Sequence, residues 1–370
     1  MYQKELEALK KAGRFRQREI CDDSLIDLAS NDYLGLAHNK EQFQKAVKLI
    51  EQYDYFAPKS SMLVGGYHPL HQIFENEISI LNGFESAITV GSGFLANMAL
   101  LESLVRKGDF LLIDEEYHAS GMVTLPNLSS RYEKFAHNDI VDLRAKIIDI
   151  IEKLKPKRLI IAIEGIYSMS GDICAKEIFD IADEFGAILI VDEAHSCGVV
   201  SKKFLGVFEH YDIKIKPNHI KMGTLGKAYG SYGAYILGSN HIISFLENRA
   251  KPIIYSTAPS LFDIALGLVN MRYIQENSEF LRAEINARQL LVKEILGIEL
   301  GALILPIWQK NNVDAIKNRD FLKKSGFFVG AIRQPTVKEP ILRVILRVGV
   351  SLESIKDVIL KIKDSKYKSI

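Results

Sequence analysis

Three short stretches of this 370-residue sequence carry residues whose types and spacing could do chemistry. The first is Gly91-Ser92-Gly93-Phe94-Leu95-Ala96, a GxGxxA pattern that follows an apolar run and opens a helical one. Glycines at such a turn let the backbone approach an anion, and the N–H groups at a helix start favour phosphate. With Asp114 closing the next apolar run, the pattern also fits a dinucleotide site. The second stretch is Asp192-Glu193-Ala194-His195, whose letters suit the acidic box of a nucleotide hydrolase. That chemistry needs a GxxxxGK[ST] loop ahead of the box, and Gly223-Thr224-Leu225-Gly226-Lys227-Ala228 has other spacing and comes after it. The third is Lys227 itself, in a glycine-rich turn where an amine could be kept accessible.

Taken jointly, the three describe one chemistry. A glycine-rich helix start holds a phosphate, an acid at a strand end pairs with a protonated ring nitrogen, and a lysine forms a Schiff base. Those are the parts that pyridoxal 5'-phosphate requires. The dinucleotide alternative gives Gly91–Ala96 a ligand but leaves Lys227 without a task. His68 and His71 stand three apart, yet no further His or Cys pattern supports a metal site, and none is expected.

These residues need a scaffold, and the chain alternates short apolar runs with longer amphipathic ones, the pattern of an α/β fold. Strands are expected at Ser86–Val90, Phe110–Asp114, Arg158–Glu164, Ala187–Asp192, His219–Gly223 and Tyr232–Leu237. Helical spacing marks Ala96–Val105, Ile140–Leu154 and Ile178–Phe185, with Lys155-Pro156 ending the second. The centre reads as a mostly parallel sheet with helices on both faces. After Pro259 come a long helical stretch from Ser260 to Leu296, broken near Glu276-Asn277, and then strands at Leu303–Trp308, Phe327–Ile332 and Ile341–Leu346. Helices are expected at Val313–Lys324 and from Leu352 onward. The expected division is an N-terminal arm over 1–45, a large α/β domain over 46–258 and a small α+β C-terminal domain over 259–370.

Composition excludes several function classes. Lys and Arg total 47 against 46 acids, a formal net charge of +1, so the strong basic excess of a nucleic-acid binder is missing. Three cysteines, Cys21, Cys174 and Cys197, are too few and too scattered for a disulfide framework. Met1–Glu19 is charged and lacks the apolar core of a signal peptide, and no run approaches the ~18 apolar residues of a membrane span. The expectation is a cytoplasmic protein.

Further motifs carry a resemblance along nearly the whole chain. They include Ser30-Asn31-Asp32-Tyr33-Leu34-Gly35-Leu36, His71-Gln72, Ser92-Gly93-Phe94, His118-Ala119-Ser120 and Glu164-Gly165-Ile166-Tyr167-Ser168-Met169 with Gly171-Asp172. Asp192–His195, Thr224–Lys227, Tyr255-Ser256-Thr257 and Ala331–Val337 continue the series in order. The sequence resembles the α-oxoamine synthases, a branch of the fold-type I pyridoxal-phosphate transferases, which share the aspartate-aminotransferase-like fold.

The resemblance implies roles. Lys227 would hold the cofactor as an internal aldimine and later remove the α-proton of an amino acid. His118 would stack on the ring, Asp192 would face its nitrogen, and His195 with Ser168 would meet its hydroxyl. Ser92, Gly93, Phe94 and Thr224 would cradle the phosphate. Ser256 and Thr257 would reach the phosphate of a neighbouring subunit, which implies a homodimer with its active site at the interface. Asn31 and Arg343 would hold the substrate carboxylate; Arg14 or Arg16, with Arg333 as a further candidate, would face the distal end of the acyl chain. The implied substrates are L-alanine and a pimeloyl thioester, carried on coenzyme A or on an acyl carrier protein. Another amino acid and acyl-CoA pair is the alternative, and an aminotransferase on the same fold a more distant one.

Some positions depart from the family pattern. Met62 stands where arginine is common, Gln334 where proline is usual, and the Arg-x-Arg pair is reduced to Arg343 with Ile345. The register there is ambiguous. None of these departures touches a cofactor position.

Overall fold

The computed structural model describes residues 1–12, 14–18, 20, 22–129 and 131–367, the side chains of 365–367 excepted. Cys21 lies outside the described residues.

Seven strands form the central sheet: Ser86–Val90 (β1), Phe110–Asp114 (β2), Tyr132–Phe135 (β3), Leu159–Glu164 (β4), Ile188–Asp192 (β5), His219–Thr224 (β6) and Ala234–Gly238 (β7). Their order is β1-β7-β6-β5-β4-β2-β3, and only β7 runs antiparallel to its neighbours. Along β4 the odd residues Leu159, Ile161 and Ile163 join one apolar cluster, while Ile160 and Ala162 join another. That period-two division is what covering both faces of a sheet demands. Each wholly buried Leu or Ile contributes about 1.5–3 kcal/mol, so the helices are clamped to the sheet.

Local signals place those helices. Asp139 accepts from the N–H groups of Val141 and Asp142 to start Ile140–Leu154, and the chain turns left-handed at Lys155 before Pro156. His68 and His71 form a reciprocal cap on Pro69–Asn82, so the paired histidines are occupied as helix-starting groups.

The expected elements are found with small differences. β1, β2 and the helix Ile140–Leu154 keep the expected bounds. β3 is an edge strand reading Tyr-Glu-Lys-Phe, with two of its four residues exposed, so it lacks the apolar run that marks its neighbours. The stretch after Ser260 is two helices, Leu261–Glu276 and Ser278–Leu296, divided at Asn277. The strand expected at Phe327–Ile332 splits into Phe327–Phe328 and Gly330–Ile332.

A second sheet lies beyond these helices, in the order Gly330–Ile332, Ile341–Ile345, Ile304–Trp308, all antiparallel. The two-residue strand Ile26–Asp27 pairs in parallel with Phe327–Phe328. The N-terminal segment is thereby tied to the C-terminal third. Lys40–Ile50 runs as one helix through position 45, and Leu261–Glu276 packs on it and on Pro69–Asn82. We therefore propose dividing the chain near residue 39 and at Asn277, with 1–39 joining the C-terminal unit, instead of at 45 and 258.

Candidate active site

Parallel strands carry their ligands beyond their carboxyl ends. Asp114, Glu164, Asp192 and Thr224 are the last residues of β2, β4, β5 and β6 and so stand along one edge of the sheet.

Asp192 is held from two sides. Its Oδ1 accepts from the Ala194 N–H at 2.9 Å and its Oδ2 from the Asn97 side-chain amide at 2.8 Å. Asn97 in turn donates to Ser120 Oγ at 2.8 Å and accepts from Tyr117 Oη at 2.7 Å. His118 closes the group: its Nδ1 accepts from the Ser120 N–H at 3.2 Å and lies 2.6 Å from Ser120 Oγ. An Nδ1 that accepts leaves Nε2 as the protonated nitrogen. Burial lowers the His118 pKa, with Lys227 adding to the effect against the pull of Asp192.

Lys227 comes from the turn after β6. Its Nζ lies 2.7 Å from His195 Nε2, and the other ring nitrogen, Nδ1, lies 2.5 Å from Tyr33 Oη. Burial brings the Lys227 amine down to about 8; Asp192 and Glu164 oppose the shift and Arg343 assists it. The turn can sit there because Gly198 has no side chain. A Cβ at that position, where φ is +81°, would stand 2.4 Å from the Cβ of Ala228.

Arg343, on the middle strand of the second sheet, spans the junction. Its Nε donates to the Ser168 carbonyl at 2.7 Å, Nη1 to Asn31 Oδ1 at 2.9 Å and Nη2 to Tyr33 Oη at 3.4 Å. Four residues on, Arg347 pairs with Asp27 at 2.9 Å and with Asp32 at 2.6 Å. Arg343 thus reaches Tyr33, the partner of His195, whereas Arg347 ties the N-terminal segment to the chain that leaves the second sheet.

The phosphate end assembles from the helix Gly93–Leu104. Ser92 caps it, its Oγ accepting from the Leu95 N–H at 3.2 Å. The N–H groups of Gly93 and Phe94 open the helix and have no acceptor within it. Gly93 lies beside Thr224, whose Cβ would be 3.8 Å from a Cβ placed on the glycine. The Thr224 hydroxyl is spent on its own turn, donating to the Gly233 carbonyl at 2.9 Å. Ser256 and Thr257 make no hydrogen bond to the Lys227 group among the described residues. Their segment is pinned by Ala258 N–H on the Ser60 carbonyl and by His71 Nε2 on the Pro259 carbonyl.

The remaining arginines stand apart. Arg14, Arg16 and Arg333 line one cavity, and Arg16 donates to Thr336 Oγ1 at 3.1 Å. Arg16 and Thr336 also border a larger cleft of about 690 Å³ that runs between Ser168 and Trp308. Asp114 is fully engaged elsewhere: it accepts from the N–H groups of Glu116 and Asn138 and from Tyr167 Oη, and it pairs with His137. It offers no free oxygen to a ribose, which removes the dinucleotide alternative.

Three residues in this group had no role assigned from sequence: Tyr33, Asn97 and Glu164. Asn97 had a signal, being the one amide in the otherwise apolar first turns, Phe94–Leu101, of the Gly93–Leu104 helix. Glu164 lies beside Asp192 in the sheet register, and its Oε1 is buried without a partner. Burial first, then Asp192, pushes its carboxyl well above the usual range.

The residues fit pyridoxal phosphate. A helix start with open N–H groups beside Thr224, a doubly held acid and an amine brought to about 8 stand together, near a Glu164 oxygen that lacks a partner. Comparison with known proteins agrees. A family model for class I and II aminotransferases matches residues 23–362. The 8-amino-7-oxononanoate synthase of Helicobacter pylori (strain 26695) is 44% identical over 358 residues, covering 96% of this chain and 95% of that protein. A protein of Aquifex aeolicus named putative 8-amino-7-oxononanoate synthase is 33% identical over 360 residues, covering 95% and 93%. The crystal structure of 8-amino-7-oxononanoate synthase from Francisella tularensis, 27% identical, superposes with a TM-score of 0.75 over 94% of this chain and 100% of that one. Serine palmitoyltransferase from S. paucimobilis gives 0.86 over 99% and 96% at 21% identity, a likeness of fold alone.

Fold and site together define a fold-type I pyridoxal-phosphate enzyme, and the chain belongs to the class I and II aminotransferase family. Within it the chain is an α-oxoamine synthase, a pyridoxal-phosphate-dependent acyltransferase similar to 8-amino-7-oxononanoate synthases.

Proposed function

We propose that this enzyme condenses L-alanine with a pimeloyl thioester, releasing carbon dioxide and a free thiol and forming 8-amino-7-oxononanoate for biotin synthesis. The observation that carries the reading is that Lys227 lies 2.7 Å from His195 and within electrostatic reach of Asp192, Glu164 and Arg343, in a chain 44% identical to a synthase of that name.

Bound pyridoxal phosphate would supply an electron sink for the carbanion at the α-carbon. Lys227 would hold it covalently and then carry the α-proton, a task suited to an amine brought to about 8. Asp192, fixed by Asn97 and the Ala194 N–H, would face the ring nitrogen; Ser92, Gly93 and Phe94 would bind the phosphate, with Thr224 packed beside them; Ser168 and His195 would meet the ring hydroxyl. Arg343 and Asn31 bind the alanine carboxylate. His118 would lie against the ring, and its Nε2–H, left free because Nδ1 accepts from the Ser120 N–H, would donate to the oxygen of the thioester carbonyl as charge develops there.

The cleft of about 690 Å³ has room for the acyl chain, with Arg16, flanked by Arg14 and Arg333, placed to meet its distal carboxylate. Coenzyme A or an acyl carrier protein would carry the thioester at the opposite end of the acyl chain, whose carbonyl must reach the Lys227 group. Ser256 and Thr257, unengaged with the site of their own chain, suit a homodimer in which each serves the partner's phosphate. Among the described residues no helix is long and apolar enough to cross a membrane, and the setting we infer is cytoplasmic.

The test is an absorbance spectrum of the purified protein, with L-alanine and then pimeloyl-CoA added and the product identified by mass spectrometry. A visible band that responds to alanine, with formation of 8-amino-7-oxononanoate, is the expected result. Turnover with glycine and not alanine would move the substrate, and no product with any acyl thioester would overturn the reading.

A further inference from the structure

Tyr33 is fully buried, comes from the N-terminal segment, and touches none of the atoms expected to react. It nevertheless ends a chain of contacts that begins at Lys227: Lys227 Nζ to His195 Nε2 at 2.7 Å, then His195 Nδ1 to Tyr33 Oη at 2.5 Å. A neutral imidazole has one protonated nitrogen, so the direction of the second contact dictates what the first can be.

The surroundings of Tyr33 decide that direction. Its oxygen already accepts from Arg343 Nη2 at 3.4 Å, so its own proton is the one left to place. The two acceptors in reach are His195 Nδ1 at 2.5 Å and Asn31 Oδ1 at 3.5 Å. Asn31 Oδ1 is already served by Arg343 Nη1 at 2.9 Å. The hydroxyl proton therefore goes to His195 Nδ1. His195 is held neutral by burial among Lys227, Arg343 and His118, whose charges all disfavour its own.

We infer that Tyr33 is a positioning residue that locks His195 in the Nε2–H tautomer, making Nε2 a hydrogen-bond donor towards Lys227. A donor at that point faces a neutral amine favourably and an ammonium unfavourably. It also offers its proton to an oxygen on a bound ring. Both effects lower the affinity of the Lys227 nitrogen for a proton, in a setting where Asp192 and Glu164 act the other way. The same Arg343 that binds the Ser168 carbonyl thus also orients the hydroxyl that sets the imidazole. The inference rests on the pyridoxal-phosphate reading above and concerns what this chain does to its lysine.

The experiment is a pH titration of the visible absorbance of the holoenzyme, wild type beside Tyr33→Phe, since that absorbance reports the proton on the Lys227 nitrogen. The phenyl ring keeps the packing and removes only the hydroxyl. The midpoint is expected to rise by about one pH unit in the variant, because an unlocked His195 can turn an accepting nitrogen towards Lys227. A midpoint unchanged within about 0.2 unit in a loaded variant of wild-type melting temperature would overturn the lock alone. A wild type with no visible band would overturn the cofactor reading together with it. Should Tyr33→Phe not fold, ¹⁵N spectra of ring-labelled wild-type holoenzyme decide, with His195 assigned by its loss in His195→Gln. Protonated Nε2 supports the lock and protonated Nδ1 overturns it.

Discussion

Arg343 Nε donates to the backbone carbonyl of Ser168 at 2.7 Å, a bond from the second sheet to the loop that follows β4 of the first. The guanidinium that would bind the substrate carboxylate is therefore oriented by the large sheet, not only by its own strand. Its two remaining nitrogens are aimed by Asn31 and Tyr33, which belong to the N-terminal segment. Three separate parts of the chain meet on one side chain.

Arg343 and Arg347 should consequently respond in opposite ways to mutation. Arg343→Lys keeps a charge but loses the planar fork, and should raise the KM for L-alanine roughly tenfold or more with stability little changed. Arg347→Ala removes the partner of Asp27 and Asp32 at a nearly buried site and should cost about 3 kcal/mol in urea unfolding. A KM effect from Arg347→Ala with intact stability would contradict the assignment.

Lys227→Ala should abolish the covalent hold on the cofactor and lower turnover by roughly three orders of magnitude or more, the range for losing a positioned base. Absorbance before and after borohydride treatment separates the two proteins: only the wild type should retain the ring after denaturation.

The rate at which cofactor-free protein takes up pyridoxal phosphate should rise with pH and level off above about 8, where the Lys227 amine is neutral. An ordinary lysine would carry the rise towards its usual value near 10.5. Stopped-flow absorbance across that range distinguishes the two, and a midpoint near the upper value would show that burial does not act on this amine.

Asn97→Leu leaves the Asp192 Oδ2 and the Tyr117 hydroxyl without their partner in a buried site. Turnover should fall by roughly ten- to a hundredfold, the worth of an unsatisfied buried polar group, while the KM for alanine stays near its wild-type value. A change confined to KM would mean that Asn97 serves substrate binding and not Asp192.

His137 offers a test of stability against pH. Burial works against its charge, but hydrogen bonds to Asp114 and Asp172 raise its pKa from 6.5 to about 10. With the folded value above the unfolded one, its contribution is fully present below about 6.5 and is lost as pH rises through about 10. The melting-temperature gap between wild type and His137→Asn should therefore shrink across that window. A constant gap would mean that His137 is neutral in the fold.

Much of the scaffold was legible because parallel strands buried on both faces are short continuous apolar runs, as in Leu159–Glu164 and Phe110–Asp114. Tyr132–Phe135, half exposed at the sheet edge, carries no such run. Lys227, Asp192 and His195 were legible because their neighbours in sequence are turn glycines and strand ends. Tyr33 and Asn97 were not, since each acts through a residue far along the chain: Tyr33 through His195, Asn97 through Asp192. The division that we propose at Asn277 was not legible, because helical spacing in Leu261–Glu276 shows that a helix forms but not that it packs on Lys40–Ile50 and Pro69–Asn82.

The pairing of Ile26–Asp27 with Phe327–Phe328 joins partners roughly 300 residues apart. During synthesis the chain emerges amino end first, so Ile26 waits for nearly all of the protein to leave the ribosome before its partner exists. The large sheet, complete by Gly238, can close beforehand. Asn31 and Tyr33 ride on the waiting segment and reach Arg343 only at the end. Until Arg343 emerges, a growing chain can therefore own Lys227 and Asp192 and still lack the contacts that gather Asn31 and Tyr33 beside them.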